Sequence, residues 1–128
     1  MILGVGVDIV EVARIQQILS SPRASRFIRR VFTAEEIRAC AGTAHPAQGY
    51  AARFAAKEAV AKALGTGFRK GVTPNSIMVK GGEFNQPAIT LTGTALEAAR
   101  ALKAGRIHVS LTHSTSTACA LVVVEKSD

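Results

Sequence analysis

The stretch RFAAKEAVAKALGTG, residues 53 to 67, limits what this chain can fold into more than any other. At about 100° per residue, Ala55, Ala56, Ala59, Val60, Ala63 and Leu64 fall on one broad apolar face, with Phe54, Glu58, Ala61 and Lys62 opposite. Alanine side chains are short, so such a helix packs tightly against a sheet. The helix is expected from about 47, after His45 and Pro46, to 64, with Gly65 just past its end. Phosphate-cradling glycines precede a helix and use its first amides, whereas Gly65 and Gly67 follow one; GTG reads as termination.

Residues 2 to 10 read as a buried strand, with Leu3, Val5, Val7 and Ile9 on one face and Ile2, Gly4, Gly6 and Asp8 on the other. The second face is nearly bare. Glycine in a strand lets a ligand or another backbone come close, so Asp8 stands at the end of a glycine-lined strip. A short helix over 11–20 follows. Thr33 and Glu36 have capping-box spacing, which predicts a helix over 34–41. Strands are expected over 76–81 and 87–91, joined by GGEFNQP, then a helix over 93–104 closed by Gly105. Two strands, RIHVSLT and TACALVVVE, flank the turn HSTS. Helices and strands mix without a repeating βαβ rhythm, which indicates an α+β fold with a small antiparallel sheet. With 128 residues, 48% of them apolar, one domain over 1–128 is expected.

Glu58 is the one acid between Glu36 and Glu83, an interval holding seven Lys and Arg residues. It has two readings. An exposed Glu58–Lys62 pair is worth roughly 0.2–0.5 kcal/mol. Alternatively, Asp8 and Glu58, from separate elements, suit Mg²⁺, which is commonly held by one or two carboxylates plus substrate phosphates. Arg53, Lys57 and Lys62 would then balance those phosphates.

The net charge of +7 calls for an acidic partner, which leaves nucleic acid, anionic membrane, a phosphorylated small molecule and an acidic protein open. Arg14, Arg23, Arg26, Arg29 and Arg30 alternate with Phe27, Ile28 and Val31 where no acid occurs. This reads as a solvated face, as a docking surface for an acidic helix, or as a set of nucleic-acid phosphate contacts. Cys40 and Cys119 form no CxxC pair, and no HExxH spacing occurs, so a zinc site is not signalled. The N-terminus lacks a basic leader and the longest apolar run is far below the ~20 residues a membrane span needs. A soluble cytoplasmic protein is expected.

Read together, GVGVDIVEVARI, RRVFTAEEI, RFAAKEAVAKALGTG and VSLTHS resemble the holo-acyl carrier protein synthases, the small trimeric class of 4′-phosphopantetheinyl transferases, in order over nearly the whole chain. The resemblance implies transfer of the 4′-phosphopantetheine arm of coenzyme A to a serine of apo acyl carrier protein, in support of fatty-acid synthesis. It implies Asp8 and Glu58 as Mg²⁺ ligands, Lys62 on the phosphates, and Arg53 and His113 near the 3′-phosphate. Arg14, Arg23, Arg26 and Phe27 match the face that docks the carrier. It further implies a homotrimer with sites between subunits, so that His113 reaches a coenzyme A whose metal is held by the adjacent protomer. Neither nucleic acid nor membrane is an expected partner on this reading. The alternative from another class is a basic nucleic-acid-binding module, which explains the arginines but not the pairing of Asp8 with Glu58.

Overall fold

The computed structural model describes residues 1–68, 71–81 and 86–128. In chain order the elements are β1 (Ile2–Glu11), α1 (Val12–Leu19), α2 (Ala24–Val31), α3 (Ala34–Ala41), α4 (Pro46–Ala63), a 3₁₀ turn (Pro74–Ser76), β2 (Ile77–Lys80), β3 (Ala88–Leu91), α5 (Gly93–Ala101), β4 (Ala104–His113) and β5 (Thr117–Lys126). The long strands form an antiparallel sheet in the order β1-β5-β4, and β2 pairs with β3 in a separate two-stranded ribbon. This is the expected α+β class. Residues 82–85 of the GGEFNQP connection lie outside the described residues.

Local chemistry sets several boundaries. At α3 the Thr33 backbone N–H donates to Glu36 Oε1 at 2.9 Å and the Glu36 N–H donates to Thr33 Oγ1 at 3.2 Å, the expected capping box. Pro46 opens α4, where its missing N–H costs nothing. At the other end Gly65 takes φ +77°, its N–H reaches Lys62 O at 3.0 Å, and the Thr66 N–H reaches Ala61 O at 3.1 Å. These are the two bonds of a Schellman cap, so GTG terminates the helix as expected.

Three boundaries differ from expectation. Helix α2 forms in the arginine-rich stretch, where Phe27, Ile28 and Val31 turn towards the core and Arg23, Arg26, Arg29 and Arg30 stay exposed. Helix α5 ends at Ala101, short of Gly105; Lys103 adopts φ 61° and Gly105 lies within β4. There an added Cβ would sit 2.9 Å from the Ser127 Cα, so close strand contact, not a helix cap, requires glycine. Strand β1 continues to Glu11, one residue into the helix expected there.

The largest correction concerns which face of β1 is inside. Helix α4 lies against the glycine face: a Cβ on Gly4 would sit 1.9 Å from Ala63 O, and one on Gly6 1.9 Å from Ala59 O. Glycine and alanine thus let two backbones touch, and the second backbone that the glycines admit belongs to this helix. The face expected to be buried is largely in the open. Val5 and Val7 are 56% exposed and Ile9 is 69% exposed, with Leu121 of β5 at 45%. Leu3 packs partly on the core, and His108 and Glu125 are hydrogen-bonded at the surface. Ala55, Ala56, Ala59, Val60, Ala63 and Leu64 are all buried as expected. Among the described residues no helix is long and apolar enough to cross a membrane.

Candidate active site

Because α4 rests directly on β1, side chains leaving the edge of that joint from either element come together. Asp8 Oδ1 accepts a hydrogen bond from Lys62 Nζ at 2.9 Å, and the same ammonium donates to Val7 O at 3.0 Å. Glu58 lies one turn before Lys62. Burial pushes the Glu58 carboxyl above its usual range, the nearby Asp8 charge pushes it the same way, and Lys62 and Arg14 offset part of the rise. Two carboxylates are therefore drawn close enough to repel, with a lysine ammonium lodged on one of them.

That arrangement fits a hard divalent cation. The donors are oxygens, there are two of them, and the rigid elements that carry them meet at the joint. Among the described residues no group of three or more His, Cys, Asp or Glu side chains gathers. The pair is thus too sparse for a closed metal cage and suits an ion that takes its remaining oxygens from substrate and water. Lys62 on Asp8 and Val7 O shows that the spot accepts positive charge.

Arg53 and His113 meet elsewhere. Nine residues separate Arg53 from Lys62, about two and a half helical turns, so the two leave opposite sides of α4. Arg53 and His113 line a cleft of about 270 Å³ together with Cys40, His45, Gln48 and Gly81; Asp8, Glu58 and Lys62 do not border it. Arg53 is only loosely held, at 3.4 Å to Gly49 O and 3.5 Å to Gly81 O, and its buried Nε has no partner among the described residues. Burial raises the Cys40 thiol and Arg53 only partly offsets this, which keeps Cys40 a neutral thiol. Neither cysteine is in a disulfide.

A second hollow, about 580 Å³, lies between α1 and α2 and is lined by Ile18, Arg23, Arg26, Phe27, Arg30, Val31 and Pro74. It brings together Arg23, Arg26, Phe27, Arg30 and Val31 of the arginine-rich stretch. Arg14 sits instead near Glu58. Phe27 also packs against Phe32 and Phe54, at ring-centre distances of 5.9 and 6.0 Å, which anchors the groove to α4.

Lys57 departs from its expected place. It points inward, 0% exposed, and its ammonium pairs at 2.7 Å with Glu36, itself 1% exposed, so it balances no phosphates. Residue spacing carries no sign of this pair, because the capping box already accounts for Glu36.

Comparison with known proteins places the whole chain. The family model of the 4′-phosphopantetheinyl transferase superfamily matches residues 4–122. A holo-[acyl-carrier-protein] synthase of Anaeromyxobacter sp. (strain K) is 49% identical over 127 residues, 98% of this chain and 97% of the relative. The chain belongs to the holo-acyl carrier protein synthase family of 4′-phosphopantetheinyl transferases. Among solved structures of the family, the Bacillus anthracis synthase in complex with CoA (3′,5′-ADP) superposes with a TM-score of 0.80 at 33% identity, covering 99% of both chains. The Helicobacter pylori synthase in complex with coenzyme A gives 0.81 at 30% identity, covering 94% of this chain and 99% of that one.

Proposed function

We propose that this chain transfers the 4′-phosphopantetheine group of coenzyme A to a serine hydroxyl of apo acyl carrier protein, giving holo carrier protein and adenosine 3′,5′-bisphosphate. The observation that carries the reading is the convergence of Asp8, Glu58 and Lys62 across the joint of β1 and α4, in a chain of this family. Asp8 and Glu58 would hold Mg²⁺, which when bound would neutralise charge on the pyrophosphate being cleaved. Lys62 moves its ammonium from Asp8 to a phosphate oxygen. Arg53, with donors to spare, and His113 take the 3′-phosphate. The groove of Arg23, Arg26 and Phe27, with Arg14 nearby, receives an acidic helix of the carrier: the arginines steer the approach and the apolar floor holds it.

The same reading makes the protein a cytoplasmic homotrimer whose sites lie between copies. Two features support assembly. The exposed apolar face of β1 and β5 is of the kind that marks a protein contact. In addition, one chain puts the Asp8–Glu58 pair and the Arg53–His113 cleft on opposite flanks of α4, so one coenzyme A spanning both kinds of residue draws on two copies. The nucleic-acid reading gains no support from the family or from the site.

The direct test is intact-mass analysis of an apo acyl carrier protein incubated with this protein and coenzyme A, with Mg²⁺ or with excess chelator. One phosphopantetheine should be added only when metal is present. An unchanged mass with several apo carriers, from protein shown to be folded, would reject the proposal.

A further inference from the structure

The joint between α4 and β1 is smooth. Gly4 and Gly6 meet the helix backbone at Ala63 and Ala59, and α4 presents mostly alanine to the sheet. Such a contact brings backbones close but has no deep ridges and grooves to select one position along the axis. The candidate site needs one position. Asp8 rides on β1 while Glu58 and Lys62 ride on α4, and a slip of one residue moves Glu58 by about 1.5 Å and turns it by about 100°.

Lys62 bonds Asp8 and Val7 O across the joint, but it belongs to the site itself; the index on α4 that lies outside the site is made by Lys57. The Lys57 ammonium has three N–H groups and three acceptors: Glu36 Oε1 at 2.7 Å, Pro74 O at 3.0 Å, and Ile77 O. Glu36 is equally occupied, since Oε1 also accepts from the Thr33 N–H and Oε2 accepts from the Val79 N–H, both at 2.9 Å. One buried ion pair thereby ties α4 to α3, to the 3₁₀ turn and to β2. Keeping two charges out of water is costly, and apolar replacements of such pairs are often as stable; their best-attested use is to fix register.

We infer that the Lys57–Glu36 pair is the register pin of α4, which makes both of them positioning residues for the transfer, acting through Glu58 and Lys62. The inference rests on the two-carboxylate reading of the site given above. It predicts that fold and site geometry come apart on mutation.

The test uses the full chain in two variants: Glu36→Gln with Lys57→Met, which removes both charges at near-constant size, and Glu36→Asp, which keeps the charge but shortens the pin. Thermal melting, kcat, and Mn²⁺ affinity with coenzyme A present, read from the electron paramagnetic resonance of the free ion, are compared with the parent. The double variant also takes the donor from Pro74 O and Ile77 O, so it should melt below the parent, and where folded it should lose about 10- to 100-fold in kcat and bind Mn²⁺ more weakly. Glu36→Asp should do the same. Parental kcat and Mn²⁺ affinity in either variant, when folded, overturn the pin. Should the double variant not fold, Glu36→Asp decides alone. Parent protein that transfers in excess chelator would instead reject the two-carboxylate reading, so the two failures stay distinct.

Discussion

The surroundings of Glu58 work against its charged form. Burial and the Asp8 charge both favour its protonated form. A carboxyl whose folded pKa lies above its unfolded value adds stability at low pH and loses that contribution as pH rises through the folded value. In metal-free buffer at neutral pH, Glu58→Gln should therefore melt no lower than the parent, while transfer falls on the order of 100-fold or more for loss of a charged group at the reacting phosphates. Calorimetry in chelator and the carrier mass assay read the two effects separately. With Glu58 as a metal ligand, as proposed, the same sign implies that activity declines on the acid side at a higher pH than an exposed glutamate would give, since protons and cation would compete for one carboxylate. Glu58 and Lys62 are legible in the sequence because a lone acid among bases is a compositional anomaly, and Asp8 because it ends a glycine-lined strip. Lys57 is not: a helical wheel treats it as one more cation, and only α3 and β2, distant in sequence, reveal that it is enclosed.

At the scale of elements, the joint of α4 and β1 depends on the absence of side-chain atoms. Gly6→Ala would set a methyl group 1.9 Å from Ala59 O, backbone that cannot rotate away. Helix and strand must then separate, costing roughly 3 kcal/mol or more, and Asp8 should move away from Glu58. Denaturant unfolding measures the first effect and Mg²⁺ dependence of transfer the second. Ends set by local chemistry, such as the capping box at Thr33 and the Schellman cap at Gly65, are readable from a few residues each. The inside of β1 is not. Alternation identifies two faces, and bulk points to the valines as the buried one, but a helix of alanines closes better on glycine and leaves the bulky face outside. Helix α2 is hidden for a related reason, since Arg26, Arg29 and Arg30 are as many as Phe27, Ile28 and Val31 and mask the apolar period.

On the scale of the whole molecule, the opposite flanks of α4 carry a test of shared sites. A chain with Glu58→Gln and one with His113→Ala should each be poor enzymes. If each site takes Glu58 from one copy and His113 from the next, unfolding and refolding them together restores intact sites in about a quarter of positions on random mixing. Recovery of activity above either sample alone, in the mass assay, checks this; an unimproved mixture, with assembly confirmed by light scattering, places both residues on one chain. Val7 and Ile9 stand either side of Asp8 on one strand, facing the other way. A strand cannot shift one face without carrying the other. Whatever grips the outer surface of β1 therefore also steadies the carboxylate behind it, and by reciprocity a cation settled at Asp8 tightens that grip. On the proposed reading of an assembled protein with Mg²⁺ at Asp8, subunit concentration and metal occupancy become two handles on a single equilibrium, so dilution alone should loosen the ion.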